Sequence, residues 1–138
     1  MTSLFRIDIV ASVLAILAGL FNLGAYWGLF WTPPASGEEL HLRIGISVAI
    51  IVVITVIAAI LIGIANRDAP ESDEREALIG LRASRNAMYI FAGGVTIIFL
   101  DAFEGHSPMD FAHMAIGIFV LAEAVRLASL LHYIRKGV

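Results

Sequence analysis

Two long apolar segments dominate the first half of the chain and restrict what it can fold into. Residues 9–30 are interrupted only by Ser12 and Asn22, and residues 44–65 contain no charged side chain. About 20 apolar residues suffice for an α-helix to cross the hydrocarbon core of a bilayer. The β-branched residues of the second segment would favour a strand in a soluble protein, but its length without a turn signal favours a membrane helix.

The composition agrees with a membrane protein and excludes several classes of function. Hydrophobic residues make up 59% of the 138 residues, against roughly 45–50% in soluble domains. The net charge of −3 and the scattered basic residues do not form the basic patch that nucleic-acid binding requires. The absence of cysteine excludes disulfides, thiolate metal sites and cysteine nucleophiles. Phosphate-loop, nucleophile-elbow and zinc-protease motifs are also absent, so the sequence predicts no enzyme.

Two further apolar segments, 87–103 and 111–131, predict a single domain with four membrane spans. Ahead of the third span lies the only long charged segment, residues 71–86. Asp73, followed three residues later by Glu76, is typical of a helix start. We expect this charged segment to be a helix at the membrane surface that runs into the third span, either directly or with a bend near Ser84.

The positions of lysine and arginine predict the orientation. If the N-terminus is cytoplasmic, seven basic residues lie on the inner side, Arg43 alone lies outside, and Arg126 lies within a span. Cytoplasmic segments of membrane proteins are rich in such residues. The predicted fold is therefore an all-α bundle of four transmembrane helices with both termini in the cytoplasm. The inner residues are Arg6, Arg67, Arg75, Arg82, Arg85, Arg135 and Lys136.

The charged segment and the last span carry two patterns that resemble a known family. The residues are Asp73, Glu74, Arg75, Ile79, Arg82, Ala83, Arg85 and Ala87, then Glu123, Arg126, Tyr133, Arg135, Lys136 and Gly137. Over residues 73–137 the chain resembles the DUF2178 family of small four-span membrane proteins of bacteria and archaea, with Arg82 where that family usually has lysine. The resemblance implies a multi-pass protein of a prokaryotic inner membrane with internal charge pairing, and it implies no reaction.

Glu123 and Arg126 are ionisable residues inside the predicted fourth span. A charged side chain at the centre of a span costs about 2.5–3.5 kcal/mol on insertion scales, so such residues face protein and have partners. We expect Glu123 to pair with Arg85 or Arg82 at the start of the third span, with Arg126 as its neighbour. A structural ion-pair cluster is the first interpretation, and a proton or ion relay through Glu123 is the alternative.

Acidic and histidine residues collect on the predicted outer side. His41, His106, Asp110 and His113 are of the types that bind zinc, copper or nickel, although their spacing matches no established metal motif. His41 and His113 could also supply two axial ligands to a haem. Solvated loops and a helix cap explain the same residues without a ligand, and we expect no cofactor.

The sequence supports three functions of different classes. The first is a structural or regulatory membrane protein that acts through helix contacts with itself or with a larger membrane complex, its partners otherwise being lipids. The second is a small dimeric transporter or channel in which Glu123 couples protons or ions. The third is a membrane protein that binds a metal or haem.

Overall fold

The computed structural model describes residues 3–29, 31–65, 74–102 and 105–136, with side chains for all of them except 3–5, 63 and 65. Four helices account for most of these residues, which contain no strand: α1 (Ser3–Tyr26), α2 (Gly37–Ala65), α3 (Glu74–Asp101) and α4 (Pro108–Lys136). Each is long and apolar enough to cross a membrane. The predicted all-α class is therefore confirmed, and the chain has the helices of a multi-pass membrane protein.

The helix ends follow from local capping. Gly28, at a φ of 68°, lies in the turn that closes α1, five residues before the prolines predicted to end it. The backbone N–H of Glu39 donates to the Ser36 hydroxyl at 3.2 Å, and Ala35 N–H donates to the Glu39 carboxylate at 2.8 Å. This cap starts α2 at Gly37, one to two turns before the predicted span at residue 44. The Asp73 cap predicted for α3 lies outside the described residues.

The helices contact one another in the order α2, α1, α4, α3, with α1 against both α2 and α4, and α3 against α4. Residues near the start of α1 meet the second half of α4, and Tyr26 at the end of α1 meets Asp110 at the start of α4. We call the end where α1 begins and α4 ends the terminal end, and the opposite end the loop end. These contacts make α1 and α4 antiparallel, and whether the four helices close into a bundle stays a prediction.

From Glu74 onward, the charged segment before the third span belongs to one unbroken helix. α3 runs from Glu74 to Asp101, which confirms the direct continuation and excludes a break at Ser84. Ile79 and Ala83 are buried against Leu130 of α4. Gly94, four turns beyond Ile79 on α3, lies against Ile118 of α4. That the segment lies at the membrane surface stays a prediction; its buried residues Ile79 and Ala83 pack against α4.

Candidate functional site

One face of α1 carries four of its polar residues and two of its small ones. They recur at alternating spacings of four and three, and such residues lie on the same side of a helix. We call this face the α1 stripe: Asp8, Ser12, Ala15, Gly19, Asn22 and Tyr26. Ser12 is 1% exposed and Asn22 is 8% exposed. Polar side chains are thus buried between helices, where each needs a hydrogen-bond partner.

The terminal cluster, formed by Asp8, Ser12, Glu123 and Arg126, joins α1 to α4. The Ser12 hydroxyl donates to Glu123 Oε2 at 2.8 Å and accepts from Arg126 Nη1 at 2.8 Å. Arg126 Nη2 lies 3.3 Å from Asp8 Oδ2, and its Nη1 lies 3.6 Å from Glu123 Oε2. One buried hydroxyl therefore bridges an acid and a base of α4, and the acid of α1 completes the cluster.

This arrangement supplies partners to both ionisable residues of the fourth span. Each charge has an opposite charge within 4 Å and a hydrogen bond to Ser12, as charged groups in a bilayer require. Hydrogen bonds to ionised groups are about twice as strong as neutral ones. Because every bond of Ser12 crosses from α1 to α4, the cluster fixes the register of the two helices.

The predicted pairing of Glu123 with Arg85 or Arg82 is wrong. Among the described residues, neither arginine lies within ion-pairing distance of Glu123, whose partners are Ser12 and Arg126. Ala83 marks the face of α3 that meets α4. Arg85 lies two residues further on, about 200° around the helix, and is exposed; Arg82 lies on the flank of the contact. The partner of Glu123 comes from α1 because the acid points to that side of α4.

Glu123 and Arg126 also border a groove between α3 and α4. The groove has a volume of about 390 Å³, and its α3 side is formed by Ser84, Ala87, Met88 and Phe91. Glu123 and Arg126 side chains are each 20% exposed. The terminal cluster is thus reachable from this groove, although its hydrogen bonds point toward α1.

The loop cluster, formed by Tyr26, Ser107, Asp110 and His113, lies at the other end of the same two helices. Ser107 and Asp110 form a capping box, in which Asp110 Oδ2 accepts from the Ser107 backbone at 3.0 Å and from its hydroxyl at 2.7 Å. Pro108 occupies the first helical position, which needs no N–H donor. The Tyr26 hydroxyl donates to Asp110 Oδ1 at 2.6 Å. Asp110 therefore both caps α4 and holds α1.

His113 is buried behind this cap. It is 4% exposed, and its ring stacks on Tyr26 with centroids 3.6 Å apart and planes inclined by 22°. Its Nδ1 lies 2.6 Å from the Met109 carbonyl oxygen. Because a carbonyl only accepts, Nδ1 carries a proton, and Nε2 is an acceptor in the tautomer protonated at Nδ1.

The four predicted metal ligands are not brought together. No group of three or more histidine, aspartate or glutamate side chains suited to a metal occurs in the part of the chain that the structure describes. His41 is exposed and bonds to the Gly37 carbonyl oxygen at 2.7 Å, and His106 lies 3.3 Å from Asp101. The haem pair His41 and His113 would have to join α2 to α4, whereas α2 packs mainly against α1, and α4 packs against α3 and α1.

Between the two clusters the contact of α1 with α4 is tight and apolar. A methyl group at Gly19 would overlap Val120 of α4, so only glycine allows this approach. Asn22, nearer the loop end, donates to the Ala18 carbonyl oxygen at 2.8 Å and to the Ser47 hydroxyl of α2 at 3.0 Å. The polar groups of the two clusters are thus separated by packed side chains along the α1 stripe.

Sequence reasoning missed Asp8, Ser12 and Tyr26 as parts of these sites. The spacing of the α1 stripe is the sequence signal that identifies them. Taken singly, Ser12 and Asn22 are only interruptions of an apolar segment. Their common face with Asp8 and Tyr26 indicates a buried helix surface.

Comparison of the chain with protein-family models, with curated proteins and with solved structures finds no match. The resemblance to the DUF2178 family therefore stays a prediction, and the functional argument depends on the geometry of the chain itself.

Proposed function

We propose that this chain is a small structural or regulatory protein of a prokaryotic inner membrane that acts through helix contacts with a second copy or a larger membrane complex. Its terminal end lies in the cytoplasm in this proposal, because basic residues such as Arg75 and Arg135 collect there while Arg43 is at the loop end. Such a distribution marks the cytoplasmic side of membrane proteins.

The observation that carries the proposal is the contrast between α1 and α2. The polar side chains Ser12, Asn22 and Tyr26 of the α1 stripe form hydrogen bonds with residues of α4 and α2. None of the most apolar stretch of α2 is buried inside the protein, against 33% of the corresponding stretch of α1. Gly45 and Ala49 are exposed on α2, and small residues at this spacing allow close approach of another helix. A protein whose charges stabilise its own helices and whose second span leaves an apolar face uncovered fits an interaction role.

Disulfide cross-linking in native membranes tests this proposal, since the chain has no cysteine of its own. Val53→Cys lies on the free face of α2, where Val53 is 55% exposed. Ile51→Cys is the matched control on the half-buried side of the same helix. We expect Val53→Cys to cross-link to a second copy or to one recurrent partner, and Ile51→Cys not to. If neither variant cross-links to any protein, α2 faces lipid only and the proposal is wrong.

A transporter with Glu123 as the coupling acid is the second candidate, favoured by the groove of about 390 Å³ that Glu123 and Arg126 border. The tight contact at Gly19 argues against a polar path along the α1 stripe, so ions would have to pass through this groove. The test is proton flux in proteoliposomes. Flux with the wild-type chain that Glu123→Gln abolishes would support transport, and no flux with the wild-type chain would exclude it.

A further inference from the structure

A cavity of about 290 Å³ opens beside the loop cluster, between the end of α1 and the first turns of α4. Leu23, Trp27, Met114 and Gly117 form its apolar wall, and Asp110, Tyr26 and His113 form its polar side. Ligand sites in proteins have this make-up, with apolar walls and a few placed polar groups, and volumes of roughly 300–1,000 Å³. The cavity is at the small end of that range, so it has room for one ring rather than a whole lipid.

One of the polar groups of the cavity, the His113 ring, has a nitrogen without a hydrogen-bond partner among the described residues. Asp110 already accepts from the Tyr26 hydroxyl and from two donors of Ser107. His113 uses Nδ1 as a donor to Met109, and its Nε2 has no hydrogen-bond partner among the described residues. Only 4% of the His113 surface is exposed, so the residue is 96% buried. His113 lines the cavity, so this nitrogen offers a position for a hydrogen-bond donor of a ligand.

The location of the cavity narrows the class of donor. His113 follows Pro108 by five residues, or about 7.5 Å along the helix, which places it near the membrane interface. A β-carbon at Gly117 would meet nothing within 4 Å, so the cavity is open toward the middle of the span on that side. A charged headgroup would lose hydration in this apolar cavity, whereas a neutral ring with an apolar tail would not. Trp27 offers an aromatic face to such a ring.

We propose that this cavity binds the hydroquinone headgroup of a membrane-borne quinol, with one ring hydroxyl donating to His113 Nε2. The ring lies against Trp27 and Met114, and the tail leaves past Gly117 along α4. Asp110 positions Tyr26, which holds the His113 ring by stacking. The inference concerns binding only, and it extends beyond the interaction role proposed above.

The experiment is a titration of the full chain in detergent with decylubiquinol under nitrogen, followed by tryptophan fluorescence. The chain has two tryptophans, so Trp31→Phe leaves Trp27 as the single reporter in the cavity wall. We expect saturable quenching. Decylubiquinone, which has no hydroxyl donor, should bind about tenfold more weakly, equivalent to about 1.4 kcal/mol, the range of one hydrogen bond.

Two variants test the site and one serves as control. A β-carbon at Gly117 meets nothing within 4 Å, so Gly117→Leu extends a side chain into the cavity and should weaken quinol binding at least tenfold. His113→Phe keeps the stack on Tyr26 but removes the acceptor, so quinol should bind no better than quinone. Gly93→Leu on α3 also enters open space and should leave binding unchanged. The proposal is wrong if binding is not saturable or if Gly117→Leu does not weaken it. The role of His113 is wrong if the parent chain binds quinol and quinone with equal affinity.

Discussion

Replacing Ser12 by alanine should destabilise the protein by about 1–3 kcal/mol, because it removes both hydrogen bonds that the buried hydroxyl makes with Glu123 and Arg126. Interhelical hydrogen bonds in membrane proteins average about 0.6 kcal/mol each, so two of them set a lower limit of about 1.2 kcal/mol. Bonds to charged groups reach about 1.5–3 kcal/mol each in soluble proteins. Arg126 keeps Asp8 at 3.3 Å and Glu123 at 3.6 Å, which holds the loss below the sum of two such bonds.

The measurement is equilibrium unfolding in mixed micelles by stepwise addition of a denaturing detergent, monitored by circular dichroism. Ser129→Ala is the matched control, because it removes one neutral bond, from Asn86 Nδ2 at 3.1 Å, and should cost only about 0.6 kcal/mol. Combining Ser12→Ala with Glu123→Gln should give less than the sum of the two single losses, since both changes disrupt one network. Equal losses for Ser12→Ala and Ser129→Ala, together with strict additivity in the double variant, would refute the bridging role of Ser12.

Three further outcomes are expected. Gly19→Leu should overpack the α1–α4 contact and cost at least about 1–3 kcal/mol, whereas Gly93→Leu, which enters open space, should unfold like the parent; similar midpoints for the two variants would contradict the tight contact. Tyr26→Phe should lower stability by about 1 kcal/mol through the lost bond to Asp110, and an unchanged unfolding midpoint would show that this bond contributes nothing. In intact cells, a membrane-impermeant thiol reagent should label Ser36→Cys and spare Glu74→Cys, and labelling of Glu74→Cys from outside would reverse the proposed orientation.

Helix position was predictable because it depends on local properties. A run such as 44–65 must be helical in a bilayer, since no water is present to satisfy its backbone groups. The direct passage from the charged segment into the third span was predictable for the same reason, as no helix breaker interrupts α3. The start of α2 at Gly37 was not expected, because the cap at Ser36 and Glu39 lies in a polar stretch that hydropathy assigns to a loop.

The candidate sites were only half predictable. Intramembrane Glu123 and Arg126 stand out by their cost in a span, so the need for a partner followed from the sequence. The identity of the partner did not follow from the sequence, because it depends on which neighbouring helix each face of α4 contacts. The short connection between the last two spans favoured α3 and therefore Arg85, but Glu123 faces α1 and reaches Ser12.

The helical class, the candidate spans and the presence of charges that need partners can all be predicted from the sequence, because each follows from the composition of one segment and its solvent. The tertiary structure alone decided that Ser12 bridges Glu123 and Arg126, and that His113 lies buried on Tyr26 beside a cavity. Such contacts join residues 84 to 114 positions apart in the chain, and no local pattern encodes them. They depend on the rotation and register of α1 against α4, which the terminal cluster and the close approach at Gly19 set together.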